Sequence, residues 1–391
     1  MLLSALAALV LGCLLLGIRL AVQSTQKPSF ESAWAARLRS DDSVAREVVR
    51  TRFDDPAFRD PRLLLQAGLL VRQGRATDAA NVLQRMSSEW RERPEARQLW
   101  GEISYATGRL RDAEMQFLTL LAEDPSRGDV HLWLAVIYYD QMHLDRFLRE
   151  IHRAIYLAPD DYRPHRVLGL LYHRFYRFSD SARHFQEALR LGGIPGQEDL
   201  VGHLAQAHLY NRDYSSVVEL VAKVPNPSGE LWAMLAEAHL NLGSDEKVIY
   251  ECVEKALQVG PHERRVLQIA SQIFIDKGRV EEAIVFLNEI LKTAPRYERA
   301  HYLLSRAYLK LGRQEDYERS IQLFKAAEEM KKEHSDLMLR IAEDSIDSES
   351  LVRAEHLAAE MGEPELAKLY AMARASRSSQ GAPNRQAATD E

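Results

Sequence analysis

The 391-residue sequence predicts an all-α chain, a solenoid of about eight helix–turn–helix units behind a single N-terminal transmembrane helix. Three observations carry this. Small residues in the middle of short apolar helices recur every 34 positions, at Ala67, Gly101, Ala135 and Gly169. Ala205, Ala236, Ser271 and Ser305 continue the series at steps of 36, 31, 35 and 34. Prolines repeat the same step of 34, from Pro125 to Pro159 and from Pro261 to Pro295. Finally, the chain is apolar for the 18 residues before Arg19 and nearly so to Val22. Two independent markers with one period identify a repeat architecture.

Residues 1–22 form the expected anchor. About 20 apolar residues span a bilayer core, and Arg19 near the end reaches back to the interface. No basic residue precedes the run, and AVQ at 21–23 is a poor cleavage site, so an uncleaved anchor is favoured over a signal peptide. LGC at 11–13 faintly resembles a lipoprotein processing box, but the run stays apolar past Cys13. Arg19, Lys27, Arg37 and Arg39 all follow the run, which assigns the repeats to the cytoplasmic side. Glu31 and Asp41 make that bias modest, so a periplasmic placement is the alternative.

Residues 23–60 read as a linker, QSTQKPSF, followed by a helical half-unit. Residues 61–330 hold the repeats. A first helix such as VHLWLAVIYYDQM (130–142) ends in a short turn, often with glycine: Gly74, Gly108, Gly243, Gly278 and Gly312. A second helix such as RLRDAEMQFLTLLAED (109–124) ends near a proline, which cannot continue a helix. Apolar residues at three- and four-residue spacing give each helix one buried face. Helices of about 12–14 residues are marginal alone, so stacking of neighbouring pairs must supply the core. Residues 331–376 read as C-terminal helices with Gly362 and Pro364 at a turn, forming a cap, and 377–391 as a disordered tail.

These residues resemble the tetratricopeptide repeat family over about residues 60–330. The unit at 94–127 matches its pattern with Gly101, Gly108, Ala113, Phe117 and Pro125. The next matches with Leu134, Ala135, Tyr138, Ala154 and Pro159, and the third with Leu168, Gly169, Tyr172, Phe185 and Ala188. Later units add Gly278, Ala283, Pro295, Leu304, Tyr308 and Gly312. Phe147, Val217 and Tyr317 depart from it, standing where the second helix should carry a small residue, which predicts looser helix pairs there. The resemblance implies a right-handed superhelix whose concave groove is lined by first helices.

In that register the groove side chains lie six and three residues before the small marker and one, four and five after it. They place Arg163, Arg166, His173 and Arg174 on one stretch, with Tyr139 and Tyr210 beside them. Arginine forks pair well with carboxylates, so an acidic or C-terminal peptide segment is the expected ligand. Asp129, Asp140 and Asp199 are the groove acids that would otherwise neutralise these arginines. The lysine-rich carboxylate clamp of some family members is absent, since no lysine lies between Lys27 and Lys223.

Other chemistry finds little support. A net charge of −6 disfavours a general affinity for nucleic acid, although the Arg/aromatic stretch 168–191 keeps an RNA-binding array as a rival reading. Cys13 and Cys252 make neither a disulfide framework nor a zinc site. His131, His165 and His301 share one bulky repeat position, and His208 and His239 an aromatic one, so they read as packing residues. His184, on a second helix, is separated from His173 on a first. No HExxH or CxxC is present, LGGIPGQ (191–197) follows no strand, and no nucleophile is marked. The expectation is therefore a membrane-tethered adaptor without enzymatic activity, cofactor or metal. Its arrangement is similar to bacterial inner-membrane tetratricopeptide adaptors of envelope biogenesis. The alternative is an extracytoplasmic assembly factor for pili or secretion systems.

Overall fold

A computed structural model of the chain describes residues 29–380 except 39–41, 52–57, 193–197 and 343–346. The described residues form 21 helices and no strand. The expected membrane-spanning segment, 1–22, and the end of the tail, 381–391, lie outside them. No helix of the described residues is long and apolar enough to cross a membrane. The chain divides into two compact units, 1–130 and 131–391.

The first unit contains α1 (Phe30–Leu38), α2 (Ser43–Thr51), α3 (Arg59–Arg72), α4 (Ala76–Gln84), the one-turn α5 (Ser88–Arg91), α6 (Pro94–Ala106) and α7 (Leu110–Glu123). Two helices thus stand where the sequence suggested a half-unit. Their Phe30, Trp34, Ala45 and Val48 join Leu64, Leu83, Leu99 and Ile103 in one core. The division falls within α8 (Gly128–Asp140).

The second unit continues with α9 (Leu144–Leu157), α10 (Tyr162–Arg174), α11 (Phe178–Arg190), α12 (Glu198–Tyr210), α13 (Tyr214–Val221), α14 (Gly229–Leu242) and α15 (Glu246–Val259). It ends with α16 (Arg264–Asp276), α17 (Val280–Thr293), α18 (Glu298–Lys310), α19 (Gln314–Ala342), α20 (Ser348–Glu360) and α21 (Pro364–Gln380). Consecutive helices pair antiparallel and each pair packs on the next. The 29 residues of α19 run through residue 330, where the repeats were expected to end. Likewise α21 runs on to Gln380, past 376.

The period of small residues has a direct steric cause. Ala67, Ala135, Ala205, Ala236 and Ser271 are fully buried. A Cβ on Gly101 would stand 2.8 Å from the Phe117 ring, and one on Gly169 2.5 Å from the Phe185 ring. Phe117 and Phe185 of second helices therefore press against the bare backbone of Gly101 and Gly169 on their first helices. Where Phe147 and Val217 replace the small residue of the second helix, both are still fully buried, and Phe147 meets the Tyr139 ring at 5.8 Å.

First helices end in a left-handed residue that turns the chain into the second helix. Glycine fills it at Gly74, Gly108, Gly243, Gly278 and Gly312. Three consecutive turns instead use Met142 (φ 58°), Tyr176 (φ 57°) and Arg212 (φ 59°). The hydrogen bonds are the same: Arg177 N–H donates to Tyr172 O at 2.9 Å as Arg109 N–H does to Ser104 O at 2.8 Å. A side chain in this conformation costs roughly 1–2 kcal/mol.

Gly169→Val should lower unfolding stability by about 1–3 kcal/mol through overpacking against Phe185. The measurement is the urea midpoint, which should fall at constant slope; an unchanged midpoint would show that the two helices do not meet this closely.

Candidate functional site

The residues expected in the groove occupy unequal surroundings. Asp161, the N-cap of α10, accepts from Arg163 N–H at 2.9 Å, from its Nε at 2.9 Å and from Nη2 at 2.6 Å. The acid that engages Arg163 is thus its own cap. Arg166 is half-buried on the next turn, with no ion pair among the described residues. Arg174 lies over the Tyr139 ring at 5.0 Å, its Nη1 buried without an acceptor. His173 meets Phe178 at 5.3 Å, His203 at 5.9 Å and Tyr210 at 6.1 Å. Burial holds its pKa down at about 4, with His203, Arg265 and Arg174 adding to the effect, so the ring is neutral at pH 7. Tyr210 stacks on Phe178 at 4.2 Å and keeps 53% of its surface exposed. The structure therefore joins Tyr139 with Arg174, and His173 with Tyr210.

The second unit covers part of this surface with its own C-terminal helices. Met142 belongs to an apolar cluster with Leu337, Ile341, Leu351, Leu357 and Tyr370, and Phe175 packs against it. The fully buried Tyr370 hydroxyl bonds His334 Nε2 at 2.9 Å and donates to the Met338 sulfur at 2.6 Å. Arg174 is close enough to lower the pKa of both His334 and Tyr370, although burial dominates both groups and raises the tyrosine. At the other end of the hairpin, Arg264 of α16 donates to Gly362 O at 3.5 Å and to Glu363 at 3.4 Å. Lys331 of α19 pairs with Glu298 at 2.6 Å. The α19–α21 segment thus reaches from the ends of α8 and α10 to the starts of α16 and α18. The sequence did carry a trace of it. Phe175 is apolar at a turn position where Thr107, Asn211 and Lys277 are polar and exposed, and Met142 is apolar where Gly108 and Arg212 stand exposed.

In the first unit, α1 occupies the equivalent register positions. A Cβ on Gly68 would collide with the Arg37 side chain. Arg37 reaches past it to Glu102, Nη2 to Oε2 at 2.5 Å, with both side chains 4% exposed. Gln98 donates to Glu102 at 3.3 Å, Arg127 to Gln98 at 2.5 Å, and Arg72 to Arg37 O at 2.6 Å. Arg37, a flanking positive charge in the sequence, is thus a buried ion-pair partner in the fold.

The histidines pair rather than cluster. His131 Nδ1 lies 2.6 Å from Glu150, His208 Nδ1 2.9 Å from Asp213, and His301 Nε2 2.9 Å from Pro295 O. His184 lies against His165, Nδ1 to Nδ1 at 3.0 Å, and stacks on Tyr172. Burial and His165 hold the pKa of His184 down at about 4. Among the described residues no group of three or more His, Cys, Asp or Glu is placed to hold a metal.

With this geometry in hand, the comparisons identify the repeat class. The family profile described as Tetratricopeptide repeat matches residues 99–164 and 270–335. These stretches are tetratricopeptide repeats, and the chain is an all-helical repeat protein of that type. No curated protein matches the sequence. Among solved structures, the APC/C hetero-tetramer Cut9–Hcn1 is similar, with 16% identity over 71% of this chain and a TM-score of 0.49. The match spans about half, 54%, of that chain. The C-terminal part of a repeat protein from Cytophaga hutchinsonii is 15% identical over 62% of this chain and 99% of that one, with a TM-score of 0.46. A human IFIT1 dimer with PPP-AAAA is 15% identical over 89% of each chain, with a TM-score of 0.42.

Two outcomes test the buried polar contacts. Arg37→Ala should lower stability by about 3–5 kcal/mol, because Glu102 keeps its buried charge without a partner. Chemical unfolding measures this, and Arg37→Met with Glu102→Met should recover most of the loss. Second, His173, His184 and His334 are neutral when folded, with pKa lowered from 6.5 to about 4. Their contribution is full above pH 6.5 and is lost as pH falls from there through 4. A stability–pH series should slope downward over that window, and His334→Gln should flatten it.

Proposed function

We propose that this chain is a membrane-tethered repeat adaptor, a binding protein that holds a protein partner against the first-helix face of its second unit. The observation that carries the reading is the pair Arg166 and Tyr210. Both lie at first-helix positions, one a half-buried cation without an ion pair among the described residues, the other an aromatic left 53% exposed on Phe178. A half-buried cation and an exposed aromatic at separate first-helix positions suit an acidic partner segment long enough to span both. The tether is residues 1–22, whose apolar length suits a single span. Tethering raises the local concentration of a bound partner, so modest affinity for each segment suffices.

Removing residues 2–22 should shift the protein from the membrane pellet to the supernatant. Alkaline phosphatase fused to the C-terminus should be inactive if the repeats face the cytoplasm; strong activity would place them on the other side. For the partner face, Arg166→Glu with Tyr210→Ala should reduce capture of partners by the anchored protein about tenfold. Undiminished capture would remove this face from the reading.

A further inference from the structure

The ends of α8 and α10 form a surface that the chain covers with its own C-terminal helices, and the cover leaves polar groups unmatched. Gln141 is 1% exposed, yet neither its Oε1 nor its Nε2 has a hydrogen-bond partner. Arg174 Nη1 is buried without an acceptor as well. The Tyr370 hydroxyl, close enough to feel the Arg174 charge, is bonded to His334 and Met338 instead. A buried donor left unpaired costs its full desolvation, so this fit is poorer than the surface permits.

The burial is also specific to this place. Thr107, Asn211, Leu242 and Lys277 occupy the same position in other repeats as Gln141 and Phe175, and all four are exposed. Met142 pays for a left-handed backbone where glycine is free, and its side chain is spent on the cluster with the C-terminal helices. The surface is thus shaped to receive helices. What holds the hairpin at its far end is weak by comparison: Arg264–Glu363 is an ion pair with exposed members.

We propose that the surface formed by Tyr139, Gln141, Met142, Arg174 and Phe175 is a docking site for an amphipathic helix of a partner protein that carries a carboxylate, and that residues 347–380 are its built-in competitor. This extends the adaptor reading to a second stretch of the same face. The incoming helix lays apolar residues on Met142 and Phe175, as the C-terminal cluster does. Its carboxylate accepts from Arg174 Nη1 and from the Gln141 amide, supplying the acceptors that Tyr370 does not. The partner gains only the difference between its own contacts and those of the resident hairpin, so binding is tuned by how firmly the hairpin docks.

The test uses the full-length protein and two labelled peptides with the sequence of residues 347–380, one unaltered and one with Tyr370→Glu. The proteins are wild type and Leu357→Asp, which places a charge in the hairpin core. The Glu peptide should bind the Leu357→Asp protein about tenfold more tightly than wild type, because the competitor has been loosened. On the Leu357→Asp protein it should also outbind the unaltered peptide, and Arg174→Ala should abolish that preference. Circular dichroism checks that the repeats remain folded. If Leu357→Asp unfolds them, Arg264→Ala with Glu363→Ala loosens the hairpin from its surface and carries the same expectation. Equal affinity for tight and loosened proteins, no binding to either, or a preference independent of Arg174 would overturn the proposal. Partner capture that depends on Arg166 while the peptides fail would leave the adaptor reading standing without it. Peptide binding without such capture would do the reverse.

Discussion

Everything in this molecule depends on how closely two short helices approach one another. Phe117 against Gly101 and Phe185 against Gly169 show the limit: the ring sits where a single extra methyl would collide. An isolated helix of this length is barely stable in water, and one pair still leaves an apolar flank uncovered. Each pair therefore borrows its stability from the next, and the 34-residue period is the sequence trace of that repeated contact. Helix order and pairing follow from this constraint. No long-range instruction is needed to build the array.

The same locality explains what could be read from the chain and what could not. Helix pairing was legible because Gly101, Gly169, Ala205 and Phe185 each report on a neighbour a few turns away. The turns were half legible. Glycine marks most of them, whereas Met142, Tyr176 and Arg212 adopt the same left-handed backbone without it. The candidate site was least legible. Arg163 is claimed by Asp161 two residues back, a local cap that a register-based assignment overlooks. Arg174 stands beneath helices nearly two hundred residues downstream, a contact that depends on how the stacked pairs turn between them. Residue periodicity carries no record of such closure.

Both units show extra-repeat helices laid on first-helix positions, yet they do so in chemically different ways. In the first, Arg37 of α1 finds Glu102, and Gln98, Arg72 and Arg127 join it in a charged network that leaves only Arg37 Nε of these groups without an acceptor. In the second, the cover is mainly apolar and leaves Gln141 unsatisfied. A matched buried charge network is costly to open because each member depends on the rest. An apolar contact with unpaired donors has no such penalty for exchange, and releasing it returns those donors to water. The contrast separates a cover that belongs to the fold from one whose energetics permit another occupant.

The α19–α21 segment also has a mechanical meaning. A stack of helix pairs with only neighbour contacts stretches like a coil spring, each joint yielding a little under load. Here the segment ties the ends of α8 and α10 to Arg264 and Glu298, several pairs further along the coil. A tie across a spring removes its early compliance: the second unit stays stiff under small forces and yields abruptly once the tie parts. A load applied to the two ends of this unit would thus leave its shape unchanged up to a threshold, then lengthen it in one step.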